Sequence, residues 1–195
     1  MLIKKIKNNL KQEISGPLVL KPEIYTDQRG YFFETWNQRI FNEALKLNIL
    51  FVQDNQSYSN YGTLRGLHFQ LNPMAQGKLV RVTSGEVYDV LVDLRKNSET
   101  FGSWAKVVLN SKNKKQIWIP QGFAHGFITL SKEAIVEYKV TNYWSKNYER
   151  TLIWNDKTLS IEWPDLNNII KSPQLSTKDE NGKTFESIFN SKEFF

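Results

Sequence analysis

His68 lies in the stretch "LRGLHFQ", three residues after Arg65 and two before Gln70, and it is one of only two histidines in the chain. The other, His125, lies in "PQGFAHGF", and there is no cysteine. Two imidazoles without thiolates suggest a metal first. A transition metal usually takes three or four N, O or S ligands. Here the position two after His68 is Gln70, and the residues from there to Gly77 include no acid. The ligand set is therefore too small for a metal. Proton transfer suits these residues better. An imidazole with an ordinary pKa of ~6.5 takes and gives protons near neutrality. A carboxylate bonded to its far nitrogen fixes the tautomer and raises its basicity. A tyrosine can donate a proton from the opposite face of a substrate, and a lysine or arginine beside a carbonyl oxygen stabilises an enolate. Lys78, Arg65, Tyr138 in "VEYKV" and Asp179 in "LSTKDENGK" are available for these tasks. Each also has a plainer role: a structural histidine on a strand, a packing tyrosine, a turn acid. Pattern alone does not select them over Asp54, Glu86 or Asp89.

The elements that must hold these residues read mostly as strands. "KLVRVTSGEVYDVLVDLR" is two β-branched runs around Ser84-Gly85, a hairpin signal. In its second half Tyr88, Val90, Val92 and Leu94 fall on one face at period two. "SWAKVVLN" and "KQIWIP" flank a basic turn, and "AHGFITL" and "AIVEYKV" flank the polar turn "SKE". "FVQDNQSYSNYGTLRGLHFQ" alternates irregularly and reads as loop and strand. Strands and turns at intervals of ~8–12 residues predict a sandwich or barrel. One helix is expected near residues 36–47, where Trp36, Ile40, Ala44 and Leu47 share a side. A shorter turn of helix is expected after Pro164 in "PDLNNIIK", and Asn181-Gly182 marks a turn. The expected fold class is all-β, a cupin-type barrel or jelly roll.

The chain has 195 residues, 40% of them hydrophobic, and reads as a single domain over residues 1–195. No run approaches the ~18 apolar residues of a membrane span. The start "MLIKKIKNNLKQ" lacks the apolar stretch of a signal peptide, so a cytoplasmic protein is expected. The formal net charge of +6 favours an anionic partner. The lysines of "KNNLK", "NSKNKKQ" and "WSKNYER" read as solvated loops and tails, and no common nucleic-acid motif is present. A phosphorylated small molecule is a better expectation than nucleic acid or a membrane.

The segments "DQRGYFFETWNQ", "FVQDNQSYS", "TLRGLHFQ", "AQGKLVRVTSGEVYDVLVDLRKNSETFG", "WIPQGFAHGF", "EYKVTNYW" and "LSTKDENGK" follow one another in this order. Together they resemble the dTDP-4-dehydrorhamnose 3,5-epimerase family of cupin enzymes, over residues 15–185. The resemblance implies a set of roles. His68 would be the base, Asp179 its partner acid, and Tyr138 the acid on the other face of the sugar. Lys78 would stabilise the enolate at the C4 oxygen. Arg65 and His125 would line the sugar and phosphate pocket, and Gln53 and Asn55 the nucleotide and sugar site. Arg29, Phe32 and Glu34 would cross to the neighbouring subunit of a homodimer and contact its nucleotide. Either Tyr143 or Trp144 would stack on the base, Trp144 standing where many relatives carry a second tyrosine or an asparagine. Gln56 departs from the pattern too, standing where the family commonly has histidine or a similar polar group. The resemblance implies no metal or coenzyme, and a nucleotide sugar as partner. Relatives that invert one centre only, or that isomerise the same keto sugar, remain alternatives. So does a non-catalytic cupin that binds nucleotide sugars. On the parity of a regular strand, Arg65 and His68 could not share a face, but Gly66 between them allows a bulge that would turn both inward.

Overall fold

The computed structural model describes residues 1–164 and 173–195, so the helical turn expected in "PDLNNIIK" lies largely outside the described residues. The described chain folds as two packed antiparallel sheets and a small hairpin. The first sheet contains β1 (Leu2–Lys7), β2 (Glu13–Lys21), β5 (Gln53–Asn60), β7 (Lys78–Ser84), β10 (Gln116–Ile119) and β12 (Glu133–Val140), in the order β1-β2-β10-β7-β12-β5. The second contains β6 (Leu64–Gln70), β8 (Glu86–Asp93), β9 (Trp104–Asn110), β11 (Phe123–Thr129) and β13 (Glu149–Thr151), in the order β13-β6-β11-β8-β9. The hairpin pairs β3 (Tyr25–Asp27) with β4 (Gly30–Phe32). From β5 onward the chain passes back and forth between the sheets, and β8-β9 is the one consecutive pair in this stretch that shares a ladder. This is the jelly-roll arrangement expected from the sequence.

The expected hairpin around Ser84-Gly85 is instead a crossing from one sheet to the other. β7 pairs with β10 and β12, whereas β8 pairs with β9 and β11. Gly85 has φ +74, and a Cβ there would lie 2.0 Å from the Glu133 carbonyl oxygen. A turn signal between two β-branched runs is the same for an arch as for a hairpin. Only the partners of each strand distinguish them.

Alternation fills the space between the sheets. Val80, Val82, Ile117, Ile119 and Val136 from the first sheet meet Val87, Leu91, Ala105, Phe123 and Phe127 from the second. Tyr88, Val90, Val92 and Leu94 point the other way, as their spacing predicts. They pack on the outer face of the second sheet under Leu152, Leu159, Trp163 and Ile188. That cover seats the C-terminal helix α3 (Phe185–Asn190), which follows the short helix α2 (Thr177–Glu180).

The helix α1 (Gln38–Leu45) covers the outer face of the first sheet. Asn37 caps it by accepting from the Ile40 amide, and Lys46, in the left-handed region, ends it. Its apolar contacts differ from those expected. Phe41 is buried against Trp36, Phe51 and Trp118, while Ile40 and Leu47 are exposed. Trp36 and Leu47 lie outside the eight residues of α1. The inward pair is therefore Phe41 and Leu45, one helical turn apart.

Candidate active site

β6 breaks its own alternation. His68 pairs with His125 and Arg65 with Phe127, so β6 spends three residues where β11 spends two. The extra residue is a bulge at Gly66, with φ +121, where a Cβ would lie 2.6 Å from the Gly126 Cα. Leu64, Leu67 and Phe69 consequently face the outer apolar layer. Arg65 and His68 share the inner side: Arg65 Nε donates to Ser59 Oγ of the first sheet at 2.9 Å.

Asp179 reaches His68 from the one-turn helix α2. Ser176 caps that turn, and its hydroxyl donates to Asp179 Oδ2 at 2.8 Å. Asp179 Oδ1 lies 2.5 Å from His68 Nε2, and the Gly66 amide donates to the same oxygen. Neutral His68 donating through Nε2 carries its lone pair on Nδ1. Burial holds the His68 imidazole below its ordinary value, Lys178 and Lys78 add to that effect, and Asp179 opposes it. Burial raises the Asp179 carboxyl, but its bonds from His68, Ser176 and Gly66 win, leaving it lowered.

Tyr138 faces His68 from the opposite sheet. In β12 the outer side carries Glu137, paired with Arg81, and Lys139, paired with Asp54. Val136 and Tyr138 face inward on the core. Burial raises the phenol above its ordinary value, Arg65 opposes this and Glu149 adds to it. The hydroxyl therefore stays protonated at neutral pH. Asn55 pairs with Tyr138, and Gln53 with Val140, which puts both amides on the same inner side of the neighbouring strand.

Lys78 begins β7 with the inward parity of Val80 and Val82. Its Nζ crosses between the sheets to donate to the His68 carbonyl at 3.2 Å. Burial depresses its pKa to about 8, with Asp89 and Glu149 pulling the other way. His125, beside His68, binds Asp89 Oδ2 through Nε2 at 2.8 Å. Asp89 Oδ1 is buried without a hydrogen-bond partner among the described residues.

His68, Asp179, Lys78, Tyr138, Arg65, Gln53, Asn55 and His125 thus gather where β5, β7 and β12 face β6 and β11. Tyr143 stands on the loop after β12 and is exposed, as is Trp144. Gln70, Gln53 and Gln76 hold that loop by its backbone at Tyr143, Ser145, Trp144 and Asn142. Arg29, Phe32 and Glu34 do not join the group within this chain. Arg29 is exposed and paired with Asp27 in the β3-β4 hairpin, Phe32 is 68% exposed, and Glu34 accepts from Asn37.

Two acids escaped the sequence reading. Asp89 was considered there and not distinguished. Glu149 was read as part of a solvated loop, yet it opens the edge strand β13 and pairs with Gln70. Its carboxyl accepts from Lys178 Nζ at 3.0 Å. Burial raises Glu149, but Lys178 and Trp144 outweigh it and hold the group below the usual range.

The model of the dTDP-4-dehydrorhamnose 3,5-epimerase family matches residues 11–187. The chain is 52% identical over 178 residues to the dTDP-4-dehydrorhamnose 3,5-epimerase of Shigella flexneri, covering 91% of this chain and 96% of that protein. It superposes with a TM-score of 0.86 on the 3,5-epimerase of Legionella pneumophila solved with dTDP-4-keto-L-rhamnose, at 42% identity over 96% of this chain and 95% of that one. A 3'-monoepimerase of Streptomyces bikiniensis, solved with dTDP-quinovose, superposes at 0.85 with 28% identity, over 92% and 88% of the two chains. With a matching family model over most of its length and a relative above half identity, the chain belongs to the dTDP-4-dehydrorhamnose 3,5-epimerase family of enzymes.

Proposed function

We propose that the protein inverts C3 and C5 of dTDP-4-dehydro-6-deoxy-D-glucose as a step in making an L-rhamnose-type sugar. The observation that carries the reading is the opposition of His68–Asp179 on one sheet and Tyr138 on the other. An inversion needs a proton taken from one face and returned to the other. His68 Nδ1 takes the proton from C3, and the electron pair passes into the C3–C4 bond to give the enolate at O4. Asp179 holds the imidazole and stabilises its charged form. The Lys78 ammonium stabilises the enolate oxygen. The Tyr138 hydroxyl returns a proton to C3 from the opposite face. His68 then releases its proton to solvent and the Tyr138 oxygen takes one back, after which the same sequence acts at C5. Arg65, His125, Gln53 and Asn55 bind the sugar and phosphates, and Tyr143 stacks on the base. Both centres are preferred to one because identity is higher to the 3,5-epimerase than to the monoepimerase.

The working unit is a homodimer with one catalytic domain per chain. The exposed β3-β4 hairpin, with Tyr25, Tyr31 and Phe32 facing solvent, is apolar surface suited to a second subunit. There it supplies Arg29, Phe32 and Glu34 to the neighbouring site. Sedimentation at micromolar concentration should give a dimer, and an active monomer would refute this arrangement. The reaction itself is tested by incubating the enzyme with dTDP-4-dehydro-6-deoxy-D-glucose in D2O. Deuterium should enter at C3 and C5, followed by NMR. Exchange at C3 alone would reduce the reading to a single-centre epimerase, and no exchange would leave a binding protein.

A further inference from the structure

Asp179 owes its place to a helix of four residues, too short to hold itself. Its Ser176 cap is local, and its bonds to Gly66 and His68 are the ones that need explaining. One further contact ties this turn to the second sheet from the adjacent residue: Lys178 Nζ to Glu149 Oε1. Glu149 and Thr151 lie on alternate positions of β13, opposite Gln70 and His68. The side chain of Glu149 therefore projects to the inner side, with His68. It is 19% exposed, against 47% for Lys178, so the pair is partly shielded from solvent. β13 is itself kept against the C-terminal segment by Arg150 and Lys183, which share Glu193, and by the Ile153 amide on the Lys183 carbonyl.

We propose that Glu149 and Lys178 are positioning residues of the reaction: their ion pair latches the Asp179 turn to β13, and Glu149 sets the charge around His68. This deepens the proposed epimerase reading and rests on it for its kinetic part. The groups facing His68 are Asp179 and Lys178 from α2, Lys78 from β7, His125 from β11, Tyr138 from β12, Arg65 from β6 and Glu149 from β13. Lys178 and Lys78 disfavour the imidazolium that must form when His68 takes a proton. Glu149 is a second carboxylate coupled to His68, and its charge acts in the opposite sense to the lysines. Each partner therefore has two separable effects. Removing either one loosens the turn between its backbone anchors at Gln174 and Lys183, so both changes slow turnover. Their effects on the basicity of His68 have opposite signs, because one removes a negative charge and the other a positive one.

The test compares Glu149→Gln, Lys178→Met and the double variant. Turnover of each single variant should fall about tenfold or more, with KM changed less than about threefold. The double variant should be little worse than either single one, because the latch is lost once. With only two histidines, 15N-labelled protein without substrate reports His68 directly. Its titration midpoint should move down in Glu149→Gln and up in Lys178→Met. This readout needs no turnover, so it can fail while the epimerase reading stands, and wild-type inactivity on the keto sugar would leave it intact. Unmoved His68 midpoints, turnover within a factor of two of wild type, or a loss confined to KM would each overturn the proposal.

Discussion

Replacing Lys78 by Met should stabilise the protein and inactivate it. Lys78 is 8% exposed, and burial depresses its pKa from 10.5 to about 8. Below pH ~8 the side chain is charged in both folded and unfolded states, and the folded state bears the full burial penalty. Between about 8 and 10.5 the unfolded chain binds a proton that the folded one does not, so stability rises with pH. Above that window the group is neutral in both states. At 1.36 kcal/mol per pH unit the penalty at neutral pH is about 3 kcal/mol. The hydrogen bond from the charged ammonium to the His68 carbonyl returns about 2 kcal/mol. Methionine fills similar space without charge, so its net gain at pH 7 is about 1 kcal/mol.

Urea unfolding of both proteins, at equal concentration and at several pH values from 7 to 10.5, measures this directly. The advantage of the Met variant should be largest at pH 7 and should vanish toward the top of the range. A difference that is independent of pH would show that packing, not charge, sets it. A less stable variant would show that Lys78 is compensated in the folded state. Kinetics give a second check: kcat/KM of the wild type should fall as pH rises through about 8, because the neutral amine cannot stabilise the enolate. A variant that keeps wild-type turnover would remove Lys78 from the reaction.

His68→Asn should lower turnover by about 10³ or more while thymidine diphosphate still binds, measured by steady-state rates and calorimetry; a loss below about tenfold in a folded protein would reassign the base. Tyr138→Phe should still wash solvent deuterium into substrate through His68 but form inverted product far more slowly. Equal loss of exchange and inversion would move Tyr138 to the base or to binding, and unchanged inversion would leave it as packing. Gly66→Ala should destabilise by more than about 2 kcal/mol, because φ +121 and the 2.6 Å approach to Gly126 leave no room for a methyl group. A neutral effect on the urea midpoint would mean that the bulge is not needed to place His68.

What could be read from the sequence divides along one line, between neighbours on a strand and neighbours in space. Period two in β8 assigned Tyr88, Val90 and Val92 to one face, because alternation is local and strict. The bulge at Gly66 was legible as an option, because the resemblance places Arg65 and His68 in one pocket and a glycine between them permits it. The sheet crossing at Gly85 was not legible, since a turn signal carries no information about partners. The inward face of α1 was misjudged because its start at Gln38 and its stop at Lys46 decide which apolar residues are helical at all. Glu149 was missed for a related reason. A three-residue edge strand has too few positions to show alternation, and its partner Lys178 is 29 residues away in a short helix.

The charges at this site are placed against the interest of the folded state alone. A stable core would leave Lys78 in solvent and give Asp89 Oδ1 a partner. Instead Lys78 sits between two sheets with the His68 carbonyl as its hydrogen-bond acceptor among the described residues. A carboxylate beside its ammonium would satisfy it in the resting protein and weaken its pull on a new negative charge. Asp89 and Glu149 act on it without an ion pair among the described residues, so the ammonium still has much to gain at the moment an enolate oxygen appears next to it. The same logic separates the two imidazoles. His125 is closed off by Asp89 inside the barrel, whereas His68 is held by Asp179 at Nε2 and keeps Nδ1 for the substrate. Both are histidine–carboxylate pairs on adjacent strands. What sets them apart is exposure: side-chain exposure is 25% for His68 and 8% for His125. Access of the ring to the opening between the sheets, more than the identity of its partner, is what fits His68 rather than His125 for the base proposed above.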